Sequence, residues 1–278
     1  MASPPFRERY GPSAVVTGAA AGIGRGFARR IAARGLDLLI ADKDATALAE
    51  TAAELREQHS IAVETIVADL TRVEGIESLC ERANATDFGL LINNAGLGHT
   101  GWFMQIPIED HLEEIDLNVR ATLLLTHRLG QQLIERGRGG ILFISSTSAE
   151  FGSPSVANYA ATKAYIRFLG EALFAELEPY GVHSLALSPG LTRTKTMSLR
   201  LGDEAARRLG AMEPEEVAEE GLRALGKRPA HIVGTRNRLL AVLSRDLTPR
   251  ARALRAGLVR MMSTGLGKPE AGSDADRR

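Results

Sequence analysis

Near its amino terminus the chain reads Ala14-Val15-Val16-Thr17-Gly18-Ala19-Ala20-Ala21-Gly22-Ile23-Gly24. The first four residues form an apolar, strand-like run, and a helical pattern opens near Gly22. Glycines between a strand and a helix permit a tight turn and let the backbone approach a pyrophosphate, which the helix N-terminus attracts. A glycine-rich turn alone is a weak signal, so the rest of the chain must decide. The residues of this turn that we expect to contact a cofactor are Gly18, Ala21, Gly22, Ile23 and Gly24.

Strand-like runs recur along the chain and alternate with helical patterns. The runs are Ala14–Thr17, Leu36–Ala41, Ala62–Ala68, Gly89–Asn93, Ile141–Ser145 and Val182–Leu187. The helical stretches between them begin near Gly22, Asp44, Arg72, Ile108 and Asn158. This alternation predicts βαβ units and an α/β fold with a Rossmann-type, doubly wound parallel sheet in a single domain.

The composition indicates which classes of partner and which cellular compartment to expect. The chain has 278 residues, with Lys+Arg and Asp+Glu balanced at 34 each, so its charge gives no case for nucleic acid or an anionic membrane as partner. Cys80 is the single cysteine, which excludes an intrachain disulfide framework, and we interpret it as a packing residue. The first ten residues are polar, and no apolar run approaches the ~20 residues needed to span a bilayer. We therefore expect a soluble, cytoplasmic protein, and no metal site.

Tyr159 and Lys163 are four residues apart in a segment with helical apolar spacing. On a helix, residues i and i+4 share a face, so we expect the phenol and the ammonium side by side. A neighbouring cation favours phenolate and lowers the pKa of a tyrosine toward the range where general acid–base catalysis works at neutral pH. Ser146 follows the run Ile141–Ser145, and a hydroxyl there points into the crevice where open α/β sheets bind ligands. Alone, Tyr-x-x-x-Lys is short enough to occur by chance.

Asp42 follows the second strand-like run. A carboxylate at this point accepts hydrogen bonds from an adenosine ribose and repels a 2′-phosphate, so we expect NAD(H) to be preferred. Lys43 lies beside it, and because a cation attracts that phosphate, NADP(H) stays open. The alternative role for Asp42 is an N-cap or first-turn acid for a helix over Ala45–Glu57.

Further candidate cofactor residues follow the third and fourth runs. Asp69 is expected to cap the next helix or to meet an adenine. The amides and small residues of Asn93-Asn94-Ala95-Gly96 suit a backbone that passes close to a ribose. Each alone is ordinary turn chemistry, but all of them in order at matching strand ends are not expected by chance. The positions assigned to the cofactor here are Asp69, Leu70, Asn93, Ala95 and Gly96.

In this combination the sequence resembles the short-chain dehydrogenase/reductase family over the range Ser13 to Thr194. The matching motifs are Thr17-Gly18-x-x-x-Gly22-x-Gly24, Asp69, Asn93-Asn94-Ala95-Gly96, Asn118, Ser146, Tyr159-x-x-x-Lys163 and Ser188-Pro189-Gly190. The resemblance implies an NAD(P)-dependent enzyme that interconverts a secondary alcohol and a ketone on a small molecule.

The same resemblance implies roles for individual residues. Tyr159 would be the catalytic acid and base, and Lys163 would lower its pKa and bind the nicotinamide ribose. Both residues would contact the cofactor. Ser146 would hydrogen-bond the substrate oxygen, and Asn118 would hold a water that relays protons to Lys163. The loop that would embrace the nicotinamide contributes Pro189, Gly190, Thr192 and Thr194.

Residues outside the motifs indicate a largely apolar substrate pocket. The expected pocket residues are Trp102, Phe103, Phe151 and Met197, the last in a stretch at about 194–212 where the family carries a mobile substrate lid. The alternative is that Trp102 and Phe103 only pack the top of the sheet. We expect His99 at the surface or behind the pocket and not as a catalytic residue.

The two ends of the chain are set apart from the domain at 13–234. Residues 1–12 are expected to form an N-terminal arm, and apolar residues between arginines over 235–267 predict amphipathic helices. The polar stretch 268–278 is expected to be disordered. The C-terminal helices depart from the commonest family pattern. We expect them to pack on the protein and not to contact a membrane, and we expect a homodimer or homotetramer.

Two other functional classes stay open. One is a non-catalytic dinucleotide-binding protein, since a fold does not dictate a function, and the other is a lyase or epimerase that uses the same cofactor. The intact set of Asn118, Ser146, Tyr159 and Lys163 favours the oxidoreductase, because a pure binder needs no phenol beside an ammonium.

Overall fold

The computed structural model describes residues 6–194, 197 and 202–242. In this part of the chain, seven parallel strands form one sheet in the order β3-β2-β1-β4-β5-β6-β7. The strands are β1 Ser13–Thr17, β2 Asp37–Asp42, β3 Val63–Val67, β4 Phe88–Asn93, β5 Gly139–Ile144, β6 Val182–Ser188 and β7 Ala230–Ile232. The predicted doubly wound parallel sheet is confirmed.

Helices connect the strands and cover both faces of the sheet. They are α1 Phe6–Tyr10, α2 Gly22–Ala32, α3 Ala45–Gln58, α4 Val73–Asn84, α5 Ile108–Ile115, α6 Thr122–Arg136, α7 Ala157–Leu177, α8 Asp203–Arg208, α9 Pro214–Ala224 and α10 Thr235–Val242. A π-helical segment, Asp116–Ala121, joins α5 to α6. The 3-10 turns are Phe103–Gln105, Thr147–Glu150 and Glu178–Tyr180.

The core consists of two apolar layers, one on each face of the sheet. Phe27 of α2 and Val217 of α9 lie in one layer, and Leu79 of α4, Leu125 of α6 and Ile166 of α7 lie in the other. Every residue of β4 and β5 is buried. A parallel sheet with helices on both faces requires this, because neither face meets water.

The direction of chain progression reverses between β1 and β4, which are neighbours in the sheet. Open α/β sheets bind ligands at such a switch point, outside the carboxyl ends of the strands. We call this side of the sheet the carboxyl edge. The glycine-rich turn follows β1 there, and Asn93-Asn94-Ala95-Gly96 follows β4.

The two ends of the predicted domain are only partly described. The range expected as an N-terminal arm contains α1, and Tyr10 at its end is buried and bonded through its hydroxyl to His183 Nδ1 at 2.6 Å. Of the expected lid, residues 195–196 and 198–201 lie outside the described part of the chain. The same holds for 243–278, which includes most of the predicted C-terminal helices and the predicted disordered tail. Among the described helices, none is long and apolar enough to cross a membrane.

Candidate active site

The glycine-rich turn after β1 is held closed by Asn94. The Asn94 Nδ2 donates to the carbonyl oxygens of Thr17 at 2.9 Å and Gly18 at 3.1 Å. Gly18 has a φ of +65°, and a Cβ there would lie 2.8 Å from the Asn94 Nδ2. A Cβ on Gly24 would lie 2.1 Å from the Gly18 carbonyl oxygen. Both positions therefore need glycine if the turn is to keep this shape.

Among the described residues, the helix that follows this turn, α2, has neither a capping side chain nor an acidic residue in its first turn. The N-cap residue of α2, Ala21, provides no side-chain hydrogen bond, and the first turn contains no acidic residue. The unpaired backbone N–H groups and the helix dipole favour an anion at such a terminus. Gly22, at the start of α2, has a φ of +55°, and a Cβ there would lie 2.9 Å from Thr194 Cγ2. This cradle fits the pyrophosphate of a dinucleotide.

Thr17, at the end of β1, ties the glycine-rich turn to the loop after β4. Its hydroxyl oxygen accepts the backbone N–H groups of Asn94 and Ala95, both at 3.0 Å, and donates to the Ile92 carbonyl at 3.2 Å. Thr17 was predicted only as the first residue of the glycine-rich motif, with no function of its own. A hydroxyl at the end of a buried strand is the signal that would have indicated this role.

Asp42 ends β2 and Asp44 follows it, and the two carboxylates accept hydrogen bonds from different backbone N–H groups. Asp42 accepts the Ala20 N–H at 3.0 Å through Oδ2 and the Asp44 N–H at 3.1 Å through Oδ1. The N-cap of α3 is Asp44, which accepts the Ala47 N–H at 3.0 Å. The alternative role of Asp42 as N-cap is therefore wrong. The exposed Lys43 ammonium lies 3.9 Å from a Glu113 carboxylate oxygen.

Asp69 follows β3 and Asn93 ends β4, and their side chains have different partners. Asp69 Oδ1 accepts from the Thr71 hydroxyl at 2.7 Å and the Thr71 N–H at 3.0 Å, and the hydroxyl bond is the main cause that lowers the pKa of Asp69. Leu70 beside it is buried. The Asn93 side chain is also buried, and its Nδ2 donates to the Thr126 hydroxyl of α6 at 3.0 Å. Contact between Asn93 and a ligand is therefore expected from its backbone.

The ammonium of Lys163 lies beside the ring of Tyr159. Both residues are on α7, and the Lys163 Nζ is 5.7 Å from the centroid of the phenol ring. Lys163 is 4% exposed, and its Nζ donates to the Ile144 carbonyl at the end of β5 at 3.0 Å. Burial lowers the pKa of this ammonium to about 8. The loop after β4 packs directly on the phenol ring, since a Cβ on Gly98 would lie 2.6 Å from Tyr159 Cδ2.

Asn118 lies in the π-helical segment and joins that loop to α7. Its Oδ1 accepts the Leu97 N–H at 3.0 Å, and its Nδ2 donates to the Leu97 carbonyl and the Thr162 hydroxyl, both at 2.9 Å. A Cβ on Gly96 would lie 2.9 Å from Lys163 Nζ and 3.0 Å from Asn118 Oδ1. The structure thus brings Asn118, Gly96 and Lys163 together. The proton relay through a water on Asn118 stays a prediction.

Ser146 follows β5 and begins the 3-10 turn Thr147–Glu150. Its hydroxyl oxygen accepts the Ser148 N–H at 3.1 Å, which orients the side chain. The hydroxyl hydrogen is not used in this bond and can be donated to another acceptor. The preceding Ser145 donates to the Lys163 carbonyl at 2.7 Å. The turn with Ser146 is therefore held beside the helix that carries Tyr159 and Lys163.

The loop after β6 runs along the carboxyl edge of the sheet. The Pro189 carbonyl accepts the Thr147 N–H at 2.9 Å, and the buried Thr192 hydroxyl donates to the Gly190 carbonyl at 3.1 Å. A Cβ on Gly190 would lie 2.4 Å from the Asn237 Nδ2 of α10, so this helix packs against the loop. The loop ends at Thr194, which lies over Gly22 as described above.

The expected substrate-pocket residues lie on the loops that follow β4, β5 and β6. Trp102 precedes the turn Phe103–Gln105, and Phe103 is 47% exposed and stacks on His111 with a centroid distance of 4.4 Å. Phe151 is half-buried. The Met197 N–H donates to the Thr194 hydroxyl at 3.2 Å. These positions are compatible with a pocket over the Tyr159 ring, and they remain predictions.

A buried carboxylate that sequence reasoning missed anchors the loop over Tyr159. Glu114 of α5 is 1% exposed, and its carboxylate accepts the His99 N–H and, at 2.6 Å, the side-chain amide of Asn158. The His99 ring lies between carboxylates of Asp110 and Glu113, at 3.6 and 3.8 Å. A glutamate on the inward face of an amphipathic helix is the signal in the sequence. His99 thus lies beside three acidic side chains of α5.

Comparison with known proteins identifies relatives over most of the chain. A family model described as short chain dehydrogenase matches residues 12–205. A 7beta-hydroxysteroid dehydrogenase of Clostridium sardiniense is 30% identical over 233 residues, which are 84% of this chain and 89% of that protein.

Solved structures agree with this result. A 7beta-hydroxysteroid dehydrogenase structure aligns with a TM-score of 0.87 and 27% identity, and the alignment covers 91% of this chain and 99% of that one. A short-chain dehydrogenase from Sphingobium yanoikuyae in complex with NADPH aligns with a TM-score of 0.73 and 30% identity over 95% of this chain and 99% of that one.

Proposed function

The chain belongs to the short-chain dehydrogenase/reductase family and is an NAD(P)-dependent oxidoreductase of small molecules; from this premise we propose that it interconverts a secondary alcohol and a ketone on a largely apolar substrate. Tyr159 acts as the general acid and base. The observation that supports this best is the position of the buried Lys163 ammonium, 5.7 Å from the centroid of the Tyr159 ring, on the helix beside Ser146.

The nicotinamide, when bound, supplies or accepts the hydride. In the oxidation the Tyr159 phenolate takes the proton of the substrate hydroxyl, and in the reduction the phenol returns it. The Lys163 ammonium stabilises the phenolate by its charge. Ser146 donates its hydroxyl hydrogen to the substrate oxygen, since its own oxygen is oriented by the Ser148 N–H, and this stabilises charge on that oxygen.

The residues present fit a dinucleotide along the carboxyl edge. The uncapped N-terminus of α2 would hold the pyrophosphate, and the loop Pro189–Thr194 would cover the nicotinamide. Asp69 would meet the adenine, and Ala95 and Gly96 would lie along the ribose. We propose NAD(H) as the preferred form, because the Asp42 carboxylate is fixed by two backbone N–H groups where an adenosine ribose would bind.

The substrate class is inferred from the residues above the phenol and from the relatives. Trp102, Phe103, Phe151 and Met197 would offer aromatic and apolar surface near the substrate, which favours a large apolar molecule with few polar groups. The similarity to 7beta-hydroxysteroid dehydrogenases supports a fused-ring secondary alcohol, so we place hydroxysteroids first in a substrate panel.

The test is a panel of secondary alcohols and ketones, with hydroxysteroids and simple cyclic alcohols, assayed with both cofactors. We expect turnover by the parent protein and a loss of kcat in Tyr159→Phe of about 10²- to 10⁴-fold, the usual contribution of general acid–base catalysis. Cofactor affinity, measured by fluorescence titration, should stay nearly unchanged, because the phenol hydroxyl does not contribute to the pyrophosphate cradle.

Tyr165→Phe is the matched control, since this tyrosine is on the same helix and is 38% exposed. It should retain parental kcat. Undiminished turnover in Tyr159→Phe would remove the phenol from the mechanism. The same panel separates the oxidoreductase from a lyase or epimerase, because only net oxidation or reduction changes the amount of reduced cofactor.

A further inference from the structure

Ser146 and Glu150 are the two ends of one short turn. The turn Thr147–Glu150 is closed at its start by the Ser146 hydroxyl, which accepts the Ser148 N–H, and by the Ser146 carbonyl, which accepts the Ala149 N–H at 3.0 Å. A turn of this length has few internal degrees of freedom. A displacement of Glu150 is therefore transmitted to Ser146.

Glu150 is buried and paired with an arginine of α7. Its side chain is 2% exposed, and Oε2 forms an ion pair with Arg167 Nη1. The second oxygen, Oε1, is buried and has no hydrogen-bond partner among the described residues. The Arg167 Nε donates to Glu171 Oε1 at 2.7 Å. Because an isolated buried carboxylate is strongly disfavoured, Glu150 holds to Arg167 far more firmly than an exposed pair would.

Arg167 continues the face of α7 that carries the proposed catalytic residues. Tyr159, Lys163 and Arg167 follow one another at intervals of four residues, so they form one stripe along the helix. Ser145 donates to the Lys163 carbonyl, and the Lys163 Nζ donates to the Ile144 carbonyl. These two hydrogen bonds fix the end of β5 to this stripe. The Glu150–Arg167 pair fixes the far end of the serine turn to the same stripe.

We propose that Glu150 and Arg167 are positioning residues that set the distance between the Ser146 hydroxyl and the Tyr159 phenol. The inference rests on the function proposed above for these two groups. In this role neither charge acts on the substrate directly. The pair acts by holding the turn and the helix in register, so that both groups reach the same substrate oxygen.

Glu150→Gln tests the pair, and Glu171→Gln is its matched control. Each variant removes one negative partner from the same guanidinium, but Glu171 lies on α7 itself and cannot displace the serine turn. We expect Glu150→Gln to lower kcat about 10- to 100-fold, the effect of misplacing reacting groups by about an ångström. KM and cofactor affinity should change little, and Glu171→Gln should keep the parental kcat.

Arg167 is tested by variants that avoid leaving a buried charge alone. Arg167→Lys keeps the ion pair, so this single variant should retain most of the parental kcat, in contrast to Glu150→Gln. The double variant Glu150→Gln/Arg167→Met removes both charges, so it should fold with a Tm near the parent value and still show the low kcat. Parental kcat in the double variant would overturn the proposal.

Tyr159→Phe, assayed in parallel, separates failure of this inference from failure of the proposed function. Full turnover in Tyr159→Phe contradicts the proposed function. An inactive Tyr159→Phe together with a fully active Glu150→Gln overturns only the positioning role.

Hydrogen exchange gives a readout that needs no substrate. The amides of Ser148 and Ala149 should exchange faster in Glu150→Gln than in the parent, and at the parental rate in Glu171→Gln. Identical exchange in all three proteins would overturn the proposal whatever the substrate is.

Discussion

Lys163 contributes to the proposed chemistry at a cost in stability. Burial lowers the pKa of its ammonium from 10.5 to about 8. The unfolded chain therefore binds more protons than the folded one between these two values, and the free energy of unfolding rises with pH across that interval. Below the interval the buried charge costs about 3 kcal/mol, since one pKa unit corresponds to about 1.4 kcal/mol. In the proposed function this charge stabilises the Tyr159 phenolate.

We expect Lys163→Met to raise Tm by a few degrees at pH 7 while it abolishes turnover. Methionine fills a similar space without charge, although it loses the hydrogen bond to the Ile144 carbonyl, so the gain is smaller than the full cost. The gain should shrink as the pH rises from about 8 to 10.5. Calorimetry over this range measures it, with the exposed Lys227→Met as control. A variant less stable than its parent at pH 7 would contradict this account.

Asp42 determines cofactor preference in our proposal, and its neighbour Asp44 provides the comparison. Asp42→Ala removes a unit charge beside the expected 2′-phosphate, which at a protein surface is worth a few kcal/mol. We expect the ratio of kcat/KM for NAD over NADP to fall by about tenfold or more. Asp44→Ala should leave the ratio alone and cost about 1 kcal/mol of stability, the usual loss of an N-cap. If Asp42→Ala and Asp44→Ala had the same ratio of kcat/KM for NAD over NADP, the only role of Asp42 would be to hold the turn at Ala20.

At the scale of elements, the strands and the starts of the predicted helices at Gly22, Ala45, Val73, Ile108 and Ala157 followed from local pattern, and the long-range side-chain contacts did not. The runs that predict β1 to β6 agree with the observed strands to within one or two residues. In the central strands β4 and β5, burial on both faces demands continuous apolar sequence. The π-helical segment at Asn118 had no local signal. It coincides with carboxamide contacts to Leu97 and Thr162, residues 21 and 44 positions away. The Glu150–Arg167 pair escaped prediction for the same reason, since only the fold shows which charges are buried together.

The helix α10 packs against the loop after β6, and substitutions on both sides of this contact can test whether it supports the loop. A Cβ on Gly190 would lie 2.4 Å from the Asn237 Nδ2, which also donates to the Val233 carbonyl at 2.8 Å. We expect Gly190→Ala to push the loop away from α10 and to raise the Kd for the cofactor several-fold. Gly190→Ala/Asn237→Ala should restore the affinity, because the second change removes the clashing group. Asn237→Ala alone serves as control, and a double variant as weak as Gly190→Ala would show that α10 does not support the loop.

At the scale of the whole molecule, the proposed site occupies the carboxyl edge of the sheet, and the opposite edge is closed by α1. Tyr10 of α1 bonds to His183 at the start of β6, and a Cβ on Gly226, after α9, would lie 2.3 Å from the His183 Nδ1. Burial raises the pKa of the Tyr10 phenol, so its hydroxyl stays protonated within hydrogen-bond distance of the His183 ring. Chain segments far apart in sequence thus meet at one neutral histidine.

Burial, assisted by the nearby Arg9 charge and opposed by Glu178, lowers the pKa of His183 below 6.5. The unfolded chain then binds more protons than the folded one as the pH falls below that value, so the free energy of unfolding decreases toward acid, by at most about 1.4 kcal/mol per pH unit for one group. Thermal unfolding between about pH 7 and pH 5 should therefore show a smaller drop in Tm for His183→Gln than for the parent. His127→Gln, on the exposed surface of α6, should keep the parental slope. The comparison uses the slope of Tm against pH and not the absolute Tm, so the loss of the Tyr10 hydrogen bond does not affect it. Equal slopes in all three proteins would exclude His183 as the acid-sensitive group.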